Sequence, residues 1–401
     1  MKYCVITILL ILSTFIKVFS QQSMMNVVEG ALCLAEKQSL LLAKKHQNEN
    51  SILPRTFENG ILVHSNAKWW TSGFYPGLLW YLYEATKNDT LRQFAQLFTQ
   101  RLEHEQYSTN NHDIGFILNC SFGNGYKVTK DTKYKKVLLT GANSLSNRYN
   151  TKVGLIRSWD FNEQLWQYPV IIDNMMNLEL LMWASKNGGG EKFKQIAVSH
   201  ANKTLKYHYR KDYSSFHVVS YDTLSFFPHR KQTWQGYNDS SSWSRGQSWG
   251  LYGYTMMYRE TKDIQYLNHA CNIANYMIQH KNMPADYIPY WDFDAPDIPF
   301  ALRDASAASI MASALIELSQ YVGKKQSLQY LLVAEKQIRT LATSDYSSLP
   351  GENGGFILKH SVGFFMRNTE VDVPLTYADY YYVEALLRYK KLKESKSSLV
   401  F

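Results

Sequence analysis

The chain has 401 residues, a formal charge of +9, and 14% aromatic residues that include 29 Tyr and 10 Trp. Its length allows one large repetitive domain or two average ones. Four widely spaced cysteines and the lack of a His-Glu-x-x-His run exclude a disulfide framework and the common cysteine-rich and zincin metal signatures, and lysines scattered without a basic stripe exclude a nucleic-acid footprint.

Residues 1–20 read as an export signal. Lys2 gives the positive start, Val5 to Leu12 the apolar core, and Val18-Phe19-Ser20 a cleavage site before Gln21. The apolar stretch is short and interrupted by Ser13 and Thr14, so it predicts no membrane span, and no later stretch is apolar enough for one. Residues 21–401 are expected to be a single exported domain, with a bacterial periplasm as its compartment.

Past the leader, two kinds of helix alternate. More polar helices are predicted at 24–46, 90–107, 132–148, 190–210, 264–281 and 326–343. Less polar ones begin near 72, 114, 173, 246, 304 and 375. A recurring phrase joins them: Tyr83-Glu84-Ala85-Thr86-Lys87-Asn88, Tyr126-Lys127-Val128-Thr129-Lys130-Asp131 and Tyr258-Arg259-Glu260-Thr261-Lys262-Asp263. Looser copies occur at Trp183-Ala184-Ser185-Lys186-Asn187-Gly188 and Tyr321-Val322-Gly323-Lys324-Lys325. A polar turn between two helical periods predicts an antiparallel hairpin. Six such hairpins can close into an all-α ring, an (α/α)6 toroid. The inner helices then run parallel. Their N-termini share one end with the long aromatic inserts at 150–168, 211–243, 283–302 and 346–374, and long inserts in compact domains are often functional.

That end collects the candidate chemistry. Asp113, after His112, and Asp173, before Asn174, each open an apolar helix. Paired carboxylates in apolar surroundings suit acid/base work on a sugar, because burial and a like charge raise a carboxyl pKa. The competing reading is that both are helix N-caps, worth about 1 kcal/mol each. Trp159 can stack on a sugar or anchor its loop. His217 sits on an extended run and is more often structural there. The Gln235 amide can hold a hydroxyl or its own loop. Arg245 starts an inner helix one turn before Trp249 and can hold a carboxylate bidentately or stack on the ring. Asp304 looks like a cap before a small-residue helix. Lys359, His360 and Arg367 form a basic loop that can meet an anionic group or simply stay solvated.

Five segments carry a resemblance: 70–77 (WTSGFYPG), 112–116 (HDIGF), 172–177 (IDNMMN), 243–250 (WSRGQSWG) and 373–381 (VPLTYADYY). Together and in this order they resemble the unsaturated glucuronyl hydrolases of glycoside hydrolase family 88, over nearly the whole mature chain. The resemblance implies the same toroid. It implies hydration of the C4=C5 vinyl ether that polysaccharide lyases leave on a non-reducing uronate, with an unsaturated uronate oligosaccharide as partner and no metal or organic cofactor. By motif match Asp173 is the acid and the base that activates water, and Asp113 the second carboxylate. Trp159, His217, Gln235, Arg245 and Trp249 match substrate-pocket positions, with His112 beside them. Trp234 departs from the His that family members often carry before the Gln-Gly-Tyr run, and Phe364-Phe365-Met366-Arg367 replaces smaller, polar residues. Both departures bear on the leaving sugar. The source polymer, ulvan or a glycosaminoglycan, stays open, as does the related unsaturated rhamnogalacturonyl hydrolase activity. A non-catalytic glycan-binding protein is the reading from another class. Oligomeric state is not legible.

Overall fold

The computed structural model describes residues 22–49 and 52–397. The expected leader and its cleavage point lie outside them. Thirteen helices are described: α1 (Met24–His46), α2 (Phe74–Thr86), α3 (Asp89–Gln100), α4 (Ile114–Leu118), α5 (Asn124–Thr129), α6 (Thr132–Ser146), α7 (Asn174–Ala184), α8 (Glu191–Tyr207), α9 (Ser244–Thr261), α10 (Ile264–Gln279), α11 (Ala305–Leu318), α12 (Lys324–Leu341) and α13 (Thr376–Ser397). α4 and α5 are one inner helix interrupted by a π turn at Asn119–Gly123.

The inner ring is α2, α4/α5, α7, α9, α11 and α13. Each packs on the next, and α13 closes back onto α2. The outer helices α3, α6, α8, α10 and α12 pack on the inner helix beside them in sequence, and α1 packs on α13, α2 and α12. The inner helices are buried nearly all round: every residue of α11 and Ser244 to Met257 of α9 are buried. This is the (α/α)6 toroid, and its core is one continuous apolar cluster from Met24 to Leu392.

The repeated Thr-Lys-Asx phrase builds the inner-to-outer turns. Lys87, Lys130 and Lys262 end their helices in the left-handed conformation, at φ 59°, 59° and 61°. Each Lys ammonium lies 5.4–5.7 Å from the ring of the Tyr four residues earlier. Thr86, Thr129 and Thr261 donate back to the carbonyls of Leu82, Gly125 and Met257, and accept from the next Asx N–H. Asn88, Asp131 and Asp263 then cap the outer helix. One short phrase therefore stops one helix and starts the next.

Outer-to-inner connections are long and lie at the opposite end. They hold four small antiparallel sheets: β1 (Leu53–Glu58) with β2 (Ile61–Ser65), β3 (Tyr149–Asn150) with β4 (Leu155–Ile156), β5 (Pro169–Ile171) with β6 (Val218–Tyr221) and β7 (Pro228–Gln232), and β8 (Ser361–Phe364) with β9 (Thr369–Val373). The β1–β2 hairpin was not among the sequence expectations, although Asn59-Gly60, at φ 50° and 79°, is a strong two-residue hairpin signal. Among the described residues no helix is long and apolar enough to cross a membrane.

Candidate active site

Strand pairing delivers the site. β5 runs straight into α7, so Asp173 follows directly on Ile171-Ile172. The register pairs Ile171 with Val218, and Ile172 N donates to His217 O at 3.0 Å. His217 is thereby laid against Asp173, with Nε2 3.9 Å from Oδ1. The next pairing, Val218 with Gln232, brings Trp234 and Gln235 over the same imidazole. Their backbone N–H groups both donate to His217 Nδ1 at 3.1 Å. An accepting Nδ1 puts the proton of the neutral ring on Nε2, the nitrogen that faces Asp173. Burial holds the His217 pKa down at about 3, with Arg245 adding to it, so the ring stays neutral.

The capping reading fails at both aspartates. Asp113 and Asp173 occupy the N-cap positions of α4 and α7, yet among the described residues neither side chain accepts a capping hydrogen bond. Asp304 is the contrast: its carboxylate accepts from Ser306 N at 2.9 Å and caps α11 as expected. Asp173 Oδ1 is buried and meets no hydrogen-bond donor among the described residues. Asp113 accepts from Asn177 Nδ2 at 3.4 Å and lies 3.4 Å from His112 Nε2. Asn177 is one helical turn beyond Asp173, so α7 itself links the two acids. The side chains keep 15% and 10% of their surface, enough for a ligand to touch.

Electrostatics agree with that geometry. Burial raises Asp173 from 3.8 to about 7; Arg245 opposes the rise and the charge of Asp113 adds to it. Burial also raises Asp113 to about 7, against the Asn177 hydrogen bond and Arg148. Near neutral pH, one member can hold a proton while the other is ionised. His112 is pushed down to about 3, first by burial and then by Arg148.

The other sequence-predicted residues divide. Trp159 is half-buried and stacked on Phe161 at 4.9 Å, with its edge against Trp166. Gln235 Nε2 donates to Gly363 O at 3.3 Å, which ties its loop to β8. Trp249 is fully buried between Phe116, Tyr377 and Tyr381, so it forms the floor and offers no open face. Arg245 is 1% exposed. Its terminal nitrogens go to the Val362 and Gly363 carbonyls and to Asp304. That fork is already engaged, so a bidentate grip on a ligand carboxylate is not open to it; only Nε is free among the described residues. In the basic loop Lys359 Nζ donates to Ser344 O at 2.6 Å and His360 pairs with Asp372 at 2.7 Å. Arg367 instead lies over the Trp234 ring at 4.8 Å.

Sequence reasoning missed Asn177 and Arg148. Asn177 Oδ1 also accepts from Phe116 N at 2.8 Å, and a Cβ on Gly115 would meet Asn177 Cα at 2.5 Å, so α4 and α7 touch through this residue. Its place one turn after Asp173 was the available signal. Asn177→Ala is expected to leave a buried N–H unpaired and cost ~1–3 kcal/mol. Thermal unfolding reads that loss. Titration of Asp113 should also move up, because the lost bond held it down.

A closed helical ring with two buried, uncapped carboxylates at its mouth defines a toroidal glycosidase. The chain belongs to glycosyl hydrolase family 88, whose family model matches residues 45–390. It is 47% identical over 327 residues to an unsaturated glucuronyl hydrolase of Formosa agariphila, covering 81% of each chain. It is 32% identical over 372 residues to an unsaturated chondroitin disaccharide hydrolase of Streptococcus agalactiae, covering 91% of this chain and 92% of that one. The crystal structure of an unsaturated glucuronyl hydrolase specific for heparin matches with a TM-score of 0.89 at 47% identity, over 92% of this chain and 98% of that one.

Proposed function

We propose that this glycosidase removes the 4,5-unsaturated glucuronyl residue from the non-reducing end of lyase-generated oligosaccharides. The observation that carries the reading is the pair of buried carboxylates left free of capping bonds. The relatives named above support the substrate class. In this reading Asp173, protonated, gives its proton to C4. Positive charge develops at C5 and on the ring oxygen. Water adds at C5 and returns a proton to the Asp173 carboxylate. The hemiketal opens and releases the next sugar. Asp113 holds ring hydroxyls and, when ionised, keeps the proton on Asp173. His217 Nε2–H stands ready to steady the Asp173 carboxylate once the proton has left. Because C4 is the protonated atom, the carboxylate-separation rule for displacement at the anomeric carbon does not apply.

On this reading the leaving sugar faces the partly exposed rings of Trp159, Phe161, Trp234 and Phe364, which pack over the buried Trp166, with Arg367 over Trp234. Such a wall suits stacking on sugar C–H faces. The substrate favoured in this reading is an anionic fragment of ulvan or glycosaminoglycan type, and export to a bacterial periplasm would place the enzyme where lyase products are taken in. A panel of lyase products from chondroitin, hyaluronan, heparin, ulvan and pectin, followed by loss of the unsaturated-uronate absorbance, tests the reading. Absorbance unchanged on all of them would overturn it, and activity on pectin fragments alone would favour the rhamnogalacturonyl alternative.

Activity should depend on pH with a definite sign. The acid must hold its proton, so turnover is expected to fall about tenfold per pH unit above about 7. Stability should fall over a related window. Folded Asp173 and Asp113 keep protons up to about 7 that the unfolded chain loses near 3.8. Their contribution is complete below about 3.8 and is lost as pH rises through about 7. Turnover against pH checks the first statement; a rate that stays flat well above neutrality would remove Asp173 as the proton donor.

A further inference from the structure

We propose that His46, Glu49 and His64 bind one divalent transition-metal ion of the zinc class, pinning the end of α1 to β2. One ligand atom from each residue lies within 4.8 Å of the other two. His46 Nδ1 is 3.2 Å from Glu49 Oε2, and the two imidazoles meet edge to face with centroids 5.1 Å apart. His46 is 5% exposed. Its Nε2 and the Nδ1 of His64 are buried and have no hydrogen-bond partner among the described residues. Each ring can give an ion only one nitrogen, so a metal would engage the partnerless Nδ1 of His64 together with a single nitrogen of His46.

Two imidazoles and one carboxylate form a zinc ligand set that leaves a fourth position for water. Tetrahedral ligand atoms at zinc distances sit roughly 3.4 Å apart. The trio must therefore close by about 1.4 Å at most. His46 is the last residue of α1, where the helix dipole is negative and favours a cation. The opposing charge is Arg101, whose guanidinium is fixed on the carbonyls of His46, Gln47 and Ile52.

The ion would act on the rim. β1 is already joined to the far side of the mouth, by Thr56 Oγ1 donating to Pro374 O at 2.6 Å and by Arg55 pairing with Glu370 at 2.7 Å. A metal clamp at β2 would fix the hairpin from its other strand. The sequence carried no sign of this, because ligands at 46, 49 and 64 match no cysteine or zincin spacing and come together only when the hairpin folds back on α1.

The test uses the untagged full chain, stripped with chelator and titrated with zinc chloride by calorimetry. Cobalt loading then gives a visible ligand-field spectrum. One equivalent per chain and a raised unfolding midpoint are expected. His64→Ala should abolish both, and Glu49→Gln should weaken zinc binding about 10–100-fold. Neither residue belongs to the catalytic machinery, so metal-free turnover should match the unaltered chain. If His64→Ala fails to fold, the exposed Glu49→Gln still decides. No zinc uptake, or uptake unchanged in Glu49→Gln and His64→Ala, would overturn the proposal and leave His46 and Glu49 as a simple pair.

Discussion

Asp173→Asn is expected to lower turnover of an unsaturated uronate disaccharide at least ~100-fold, with KM changed by a few-fold at most. The two side chains have the same shape, so the mouth keeps its form. An amide cannot give a proton to a carbon atom. The same substitution should raise stability. Asp173 lies against Ile172, His217 and the inner ring with one oxygen unpartnered among the described residues, and its ionised form is disfavoured there. Removing it is expected to stabilise the chain at pH 8 by on the order of 1–4 kcal/mol. Opposite signs make the experiment decisive, because misfolding lowers both quantities. Turnover at the level of the unaltered chain would end the role of Asp173. Lost turnover with a lowered unfolding midpoint would instead make it a structural residue.

The ring was legible because its instructions are local. Thr86-Lys87-Asn88, Thr129-Lys130-Asp131 and Thr261-Lys262-Asp263 each encode a helix stop, a left-handed residue and a cap within three positions. The alternation of polar and less polar helices then says which face closes inward. Asp113 and Asp173 were legible as helix openers, but the sequence could not say whether they cap. That depends on side-chain direction, which packing against Asn177 and His217 sets. Arg245 shows the limit more sharply. Next to Trp243 and ahead of Trp249 it reads as a ligand-binding Arg, yet β8 returns from more than a hundred residues away and occupies its fork. Trp249 likewise matches a substrate-pocket position, and only packing by Phe116, Tyr377 and Tyr381 across the closed ring covers it.

Arg388→Ala is expected to destabilise the chain by ~3–5 kcal/mol, the scale for stranding a buried partner charge. Arg388 lies three helical turns beyond the mouth end of α13, with its side chain largely but not fully buried. Its guanidinium pairs with Glu317 at 2.7 Å, reaches Glu384 at 3.3 Å, and donates to Tyr252 OH at 2.7 Å and Ser313 O at 3.0 Å. Glu384 also accepts from Tyr81 OH at 2.7 Å and Ser313 Oγ at 2.6 Å. Arg259 adds a two-oxygen hold on Glu317 and a contact to Glu179. Residues from α2, α7, α9, α11 and α13 thus meet in one polar network. Burial pushes the Glu317 carboxyl up, and Arg388 and Arg259 more than offset it, so it stays ionised. Without Arg388, the buried Glu317 and Glu384 carboxylates face each other with one cation fewer. The mouth is some ten or more ångströms away along helices that rise 1.5 Å per residue, so kcat and KM below the unfolding transition should stay close to those of the unaltered chain. Denaturant unfolding beside initial rates separates the effects. A ring that keeps its stability without Arg388 would mean that apolar packing alone closes it. Lost turnover at full stability would mean that the two ends of the toroid are coupled.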